Sequence, residues 1–178
     1  SLQRRRQKIW EEAPSATLDE ATRQELCQSA VKLTRDIGYV GAGTVEYLYE
    51  ESTGRFFFIE MNTRIQVEHP VTEAITGYDL VAEMIRIAGG APLSVSQDDI
   101  KINGHSIEVR INAENPLMHF LPSPGVITTL SCAHAPEVRF DHFLYEGYTI
   151  PPFYDSLLGK LIVHGNNRDE AIAAMHQA

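Results

Sequence analysis

Residues 89–99 break the chain in two. Gly89-Gly90-Ala91-Pro92 cannot continue a helix, and the polar run 94–99 has neither helical nor strand periodicity. Before the break, helical and strand patterns are mixed. Leu18, Ala21, Leu26, Ala30, Leu33 and Ile37 recur near the helical period, with Thr17 and Glu20 at capping-box spacing and Gly38 as a stop. Runs 43–49 and 55–61 are rich in aromatic and β-branched residues. The polar loop Glu50-Glu51-Ser52-Thr53-Gly54 between them predicts a hairpin. A helix is predicted after Pro70, broken at Gly77, restarted by Asp79 as N-cap and closed by Gly89-Gly90. Lys8-Ile9-Trp10 predicts a further strand ahead of the breaker Ala13-Pro14-Ser15.

After the break the texture is mostly β. Residues 105–113 alternate, with Ile107, Val109 and Ile111 on one face and Glu108, Arg110 and Asn112 on the other. Short β-type runs follow at 125–130, 138–140 and 160–163, separated by turn signals at Pro122-Ser123-Pro124-Gly125 and Gly147. Residues 168–176 predict a helix. The fold class is therefore α+β, with a mixed first part, 1–96, and a mostly β second part, 97–178.

Composition removes several classes of function. A formal charge of −9 over 178 residues lacks the cationic footprint of a nucleic-acid binder. No apolar run reaches the ~18–20 residues of a membrane-spanning helix. The basic start, Arg4-Arg5-Arg6, lacks the apolar stretch of a signal peptide. Cys27 and Cys132 have no CxxC spacing, which predicts free thiols in a reducing compartment. The seven histidines form no HExxH, and GxSxG, Walker A and GxGxxG motifs are all missing from the sequence.

The hairpin carries the first chemical argument. If its loop closes symmetrically, Tyr49 faces Arg55, Glu46 lies opposite Phe58, and Glu60 lies opposite Thr44. All even-numbered residues then share one face, and Glu46 and Glu60 become diagonal neighbours with Cβ atoms about 6–8 Å apart. Two carboxylates so close repel unless a cation intervenes, and with Asn62 they form a hard oxygen set suited to magnesium or manganese. Spacing alone does not separate this from a solvated acid pair. Downstream, Glu60, Asn62, Arg64, Gln66 and Glu68 occupy every even position. Extended, they would span about 27 Å of one strand face. The order acid, amide, cation, amide, acid suits metal ligation, then anion holding, then proton removal. An exposed alternating strand has the same pattern. The basic entry with Lys8 is either a solvated cluster or the partner of a terminal phosphate. Arg110 taken alone reads as an ordinary exposed or ion-paired arginine.

Taken together, Gln3-Arg4-Arg5-Arg6-Gln7-Lys8, the string from Glu60 through Glu68-His69-Pro70 to Glu73, Arg110-Ile111-Asn112-Ala113-Glu114, Leu121-Pro122-Ser123-Pro124-Gly125 and Tyr154-Asp155-Ser156-Leu157-Leu158-Gly159-Lys160 resemble the signatures of biotin carboxylases. The resemblance runs in order from Gln3 to the last predicted helix. It implies the C-terminal half of an ATP-grasp domain followed by a biotin carboxylase C-terminal domain. The implied activity is ATP- and bicarbonate-dependent carboxylation of biotin on a carrier, through carboxyphosphate. It implies Glu46, Glu60 and Asn62 as ligands of Mg2+ or Mn2+ around ATP, and Gln3, Arg6 and Leu48 as further nucleotide contacts. Lys8, Arg64, Gln66 and the backbone of Val67 hold bicarbonate in this reading, Glu68 is its base, and Arg110 stabilises the biotin enolate. Arg6 stands where the family pattern has histidine. The family also has an N-terminal α/β domain and a first ATP-grasp half with a glycine-rich lid, so these 178 residues alone are expected to be inactive. Implied partners are a biotin carboxyl carrier, a carboxyltransferase and a second copy of the chain, in the bacterial cytoplasm or the mitochondrial matrix. Two alternatives are a non-catalytic assembly module and another ATP-grasp ligase of the carbamoyl phosphate synthetase kind.

Overall fold

The computed structural model describes residues 1–132 and 135–178. They form two compact units. One comprises Ser1–Pro14, Pro70–Ile75 and Ile102–Ala178; the other comprises Ser15–His69 and Thr76–Lys101.

The first unit is a five-stranded antiparallel sheet with a helix packed on one face. In chain order its first two strands are β1 (Leu2–Arg4) and β2 (Gln7–Ala13). The second unit contributes helix α1 (Glu20–Asp36), strands β3 (Thr44–Glu50) and β4 (Arg55–Asn62), and α3 (Leu80–Ala88). Helix α2 (His69–Thr76) precedes α3, and its residues Pro70–Ile75 belong to the first unit. Strands β5 (His105–Asn112), β6 (Glu114–Asn115), β7 (Leu121–Pro122), β8 (Gly125–Val126), β9 (Val138–His142), β10 (Thr149–Ile150) and β11 (Leu157–Gly165) then lead to α4 (Arg168–Gln177). The large sheet runs β1-β2-β5-β11-β9.

Alternation in β5 works as the sequence predicts. Ile107 pairs across from Val163, and both join Ala171 of α4, Trp10, Val109, Val138, Ile172 and Met175 in an apolar core. The opposite face is not exposed, however. Ser106 and Glu108 have no accessible surface. Helix α4 starts where Asn167 accepts the Glu170 amide through its side chain, an N-cap that satisfies one of the orphan donors of the first turn.

The sheet carries one irregularity with consequences. Leu2 pairs with Trp10 but Gln3 pairs with Lys8, so Ile9 is an extra residue in β2. Such a bulge reverses the alternation on its own strand. Lys8 therefore shares a face with Glu11 rather than with Trp10. The β1–β2 turn places Arg5 at φ 50 and Arg6 at φ 66, a left-handed pair that matches the twist of a two-residue hairpin. Arg4 anchors it: its guanidinium donates to the His119 carbonyl at 3.1 Å, lies 3.3 Å over the Phe120 ring and sits 3.5 Å from Glu114.

In the second unit the helix α1 cap differs from expectation. Asp19, not Thr17, is the N-cap, accepting the Thr22 amide at 2.7 Å, because a carboxylate two residues on makes the stronger acceptor. Gly38 ends this helix at φ 65, and Asp79 caps α3, as predicted. The run 125–130 shortens to a two-residue strand, because β8 pairs only with the two residues of β10.

Candidate functional site

The β3–β4 hairpin is where the acids gather, but its register corrects the symmetric reading. Glu50 pairs with Arg55, Tyr49 with Phe56, Leu48 with Phe57 and Tyr47 with Phe58; the register then shifts, and Glu46 pairs directly with Glu60. Ile59 is the extra residue, a bulge in β4. Glu46 is thus not opposite Phe58, nor Glu60 opposite Thr44, which pairs with Asn62. The even-number rule fails on β4 before the bulge: Leu48 shares its face with Phe57, while Tyr47 meets Phe56 and Phe58 edge-on at 5.4 and 6.3 Å. Beyond the bulge, Glu46 and Glu60 still share one face, and more closely than the diagonal placement required.

The following segment is not an extended array. After Asn62 the chain bends at Thr63 and Arg64 and turns at Val67 and Glu68 into α2. The bend brings the amides back onto the acids. Asn62 Nδ2 donates to Glu46 Oε1 at 3.2 Å and to Glu60 Oε1 at 3.0 Å, and Gln66 Nε2 donates to Glu46 Oε1 at 2.7 Å. Arg64 donates to Asn62 Oδ1 at 3.4 Å and to the Ile65 carbonyl at 3.2 Å. Gln66 is buried, and its carbonyl is met by the His69 amide at 3.2 Å and lies 2.8 Å from His69 Nδ1. Glu68 is half-buried in the turn that leads into α2.

The donor set fits a hard divalent cation. Two carboxylates face each other with an amide bridging them, and an Asn amide offers oxygen to a cation as readily as nitrogen to an anion. Among the described residues no three His, Cys, Asp or Glu side chains converge as a metal cage. The hairpin itself offers two carboxylates and one amide. It provides two or three oxygens and leaves positions for other ligands, the pattern of magnesium bound beside phosphates.

Two family profiles match the chain: the carbamoyl-phosphate synthase L chain ATP-binding domain over residues 1–96, and the biotin carboxylase C-terminal domain over residues 108–178. A biotin carboxylase of Pseudomonas aeruginosa is 55% identical over the whole chain. The chain belongs to the biotin carboxylase family.

It spans 39% of that Pseudomonas relative and 40% of biotin carboxylase 1 of Bacillus subtilis, which is 52% identical over the same 178 residues. Among solved structures, the biotin carboxylase domain of a thermophilic 2-oxoglutarate carboxylase bound to bicarbonate matches 99% of the chain, with a TM-score of 0.96 and 48% identity, over 40% of its own length. A Campylobacter jejuni biotin carboxylase–β-γ-ATP complex matches 100% of the chain, with a TM-score of 0.95 and 49% identity, over 39% of its length.

The predicted site residues fall into two groups. Glu46, Leu48, Glu60, Asn62, Arg64, Gln66, Val67 and Glu68 belong to the second unit; Gln3, Arg6, Lys8 and Arg110 belong to the first. Within the second unit the hydrogen bonds join Glu46, Glu60, Asn62, Arg64 and Gln66. Leu48 is exposed on the face of Glu46. Within the first, Gln3 pairs across from Lys8, the Ile9 bulge turns Lys8 to the face of Arg110, and Arg110 pairs across from Lys160. Sequence reasoning passed over Lys160, Glu11 and Glu108 on that face. Alternation in residues 105–113 put Glu108 on the face of Arg110, and Lys160 closes the string from Tyr154, but its pairing with Arg110 from 50 residues away has no local signal. No helix among the described residues is long and apolar enough to cross a membrane.

Proposed function

We propose that this chain is the part of a biotin carboxylase that binds the metal–phosphate end of ATP, activates bicarbonate and receives biotin. The observation that carries the reading is the opposed pair Glu46–Glu60, bridged by Asn62 and braced by Gln66. Opposed acids are a destabilising arrangement that a divalent cation converts into an attractive one. When bound, Mg2+ or Mn2+ would neutralise charge on the phosphates and be held by Glu46, Glu60 and Asn62. Gln3, Arg6 and Leu48 would contact the nucleotide. Lys8, Arg64, Gln66 and the Val67 backbone would hold bicarbonate by its oxygens, since guanidinium and amide donors match a planar anion. Glu68 would take the bicarbonate proton, so that the oxygen attacks the terminal phosphorus and yields carboxyphosphate and ADP. The carboxyl group would then pass to N1 of biotin, with the C–O bond of carboxyphosphate breaking to release inorganic phosphate, which takes the N1 proton, while Arg110 pairs with the negative charge on the ureido oxygen.

The domain division we propose is 1–96 for the ATP-grasp part and 97–178 for the C-terminal part. A biotin carboxyl carrier and a carboxyltransferase are the partners this chemistry requires. A homodimer is supported by a Hydrogenobacter thermophilus relative solved as a biotin carboxylase domain dimer with MgADP and bicarbonate. The proposed compartment is the cytoplasm of a bacterium or the mitochondrial matrix.

The test is bicarbonate-dependent release of ADP by the full-length protein, with and without free biotin. Glu68→Gln should lower the rate about 10²–10⁴-fold, the usual contribution of a positioned base. A full-length protein that forms carbamoyl phosphate instead of carboxybiotin, or a Glu68→Gln protein that works as well as wild type, overturns the reading.

A further inference from the structure

We propose that Glu108 is a positioning residue that aims Arg110 for the step on biotin. The proposal deepens the functional reading above and rests on it. Glu108 has no accessible surface, although it lies on the polar face of β5. A buried carboxylate is costly unless cations compensate it, and an apolar side chain of similar size is often no less stable in such a place. The fold alone therefore does not call for an acid at the centre of this strand.

The charges around it are ordered. Arg110 lies two residues along the same face, and its Nε is shielded from solvent. Lys160 pairs directly across from Arg110 on β11, and its Nζ is 3.6 Å from Asp141 Oδ2. Asp141 is gripped by Arg139 through two hydrogen bonds of 2.8 Å, and Arg139 reaches Glu73 of α2 at 2.8 Å. On the other side Glu11 of β2 pairs directly with Glu108, which puts their Cβ atoms about 4.5–5.5 Å apart. The Ile9 bulge adds Lys8 to the same face.

On this face two acids, Glu11 and Glu108, lie directly opposite each other, two cations, Arg110 and Lys160, lie opposite each other next along the strands, and Asp141 faces Lys160 from β9. A long arginine side chain loses rotamer freedom when its head is fixed. A negative charge two residues away on the same strand face biases the rotamers of Arg110 before substrate arrives. Glu108 touches no reacting atom in this scheme; it acts through Arg110.

The test compares two rates in the full-length protein: carboxylation of free biotin, and ATP hydrolysis driven by bicarbonate. Glu108→Gln keeps the shape and removes the charge. The ratio of biotin carboxylation to ATP hydrolysis should fall about 10–100-fold, the range for losing an orienting partner. A loss of folding alone lowers both rates together and leaves the ratio unchanged. Should Glu108→Gln fail to fold, Glu11→Gln, at a less buried position directly opposite, should lower the same ratio. An unchanged ratio in the variants that fold overturns the proposal while leaving the functional reading intact. A wild-type protein that does not carboxylate biotin overturns both.

Discussion

Replacing Glu60 by glutamine separates a metal site from a chance pair of acids. The Oε1 atoms of Glu46 and Glu60 lie within 3.2 and 3.0 Å of the same Asn62 nitrogen, so they are no more than about 6 Å apart. Two unit charges at that separation repel by about 3 kcal/mol at an effective dielectric constant of 20, and by about 0.7 kcal/mol in water. Glu60 is exposed, so solvent screening brings the value to the lower end, about 1 kcal/mol. Glu60→Gln removes that repulsion. In EDTA the variant should therefore melt at or slightly above the wild-type temperature. Manganese should reverse the order: it should raise the melting temperature of the wild type by binding the native state, and raise that of the variant far less. Thermal melts of the full-length protein with EDTA and with MnCl2 make the comparison. A variant that melts lower in EDTA, yet gains as much from manganese as the wild type, would refute the argument that these acids oppose each other for a cation.

Other consequences of the geometry are measurable by unfolding. Gln66→Leu leaves Glu46 without its 2.7 Å donor and should cost about 1.5–3 kcal/mol in urea titrations, as well as weakening manganese binding. Gly104 has φ +68, and a Cβ there would lie 2.2 Å from the Gly165 carbonyl oxygen and 2.7 Å from His164 Nε2; Gly104→Ala should cost more than about 2 kcal/mol. For Asp141, burial pushes the carboxyl up, but the hydrogen bonds and charge of Arg139 and the charge of Lys160 outweigh it, so its pKa falls below the ordinary 3.8. The ionised form then contributes stability that is complete above 3.8 and is lost as pH falls through the lower, folded value. Asp141→Asn should flatten that acid limb of a stability–pH curve, and an unchanged limb would contradict the assignment.

Local signals were read well where one residue type has one physical reason. Asp79 capping α3, Gly38 ending α1 and the alternation of Ile107, Val109 and Ile111 follow from orphan amides, left-handed backbone and strand pleat. Thr17 misled because two capping side chains stood two residues apart and only the folded backbone chose Asp19. The hairpin misled for a different reason. A bulge adds one residue without changing composition, so Ile59 looks like any other strand residue, yet it moves Glu46 from opposite Phe58 to opposite Glu60.

What residues alone determined here is chemistry and kinship: an acid–amide–cation–amide–acid run, a hairpin ahead of it, and a string specific enough to name a family. What required the tertiary structure is who faces whom. The bulge at Ile9 turns Lys8 toward the face of Arg110, the bend after Asn62 swings Gln66 onto Glu46, and β11 sets Lys160 against Arg110. Pairings across strands depend on register and backbone direction. These are settled by burial of the whole sheet, not by any stretch of neighbours along the chain.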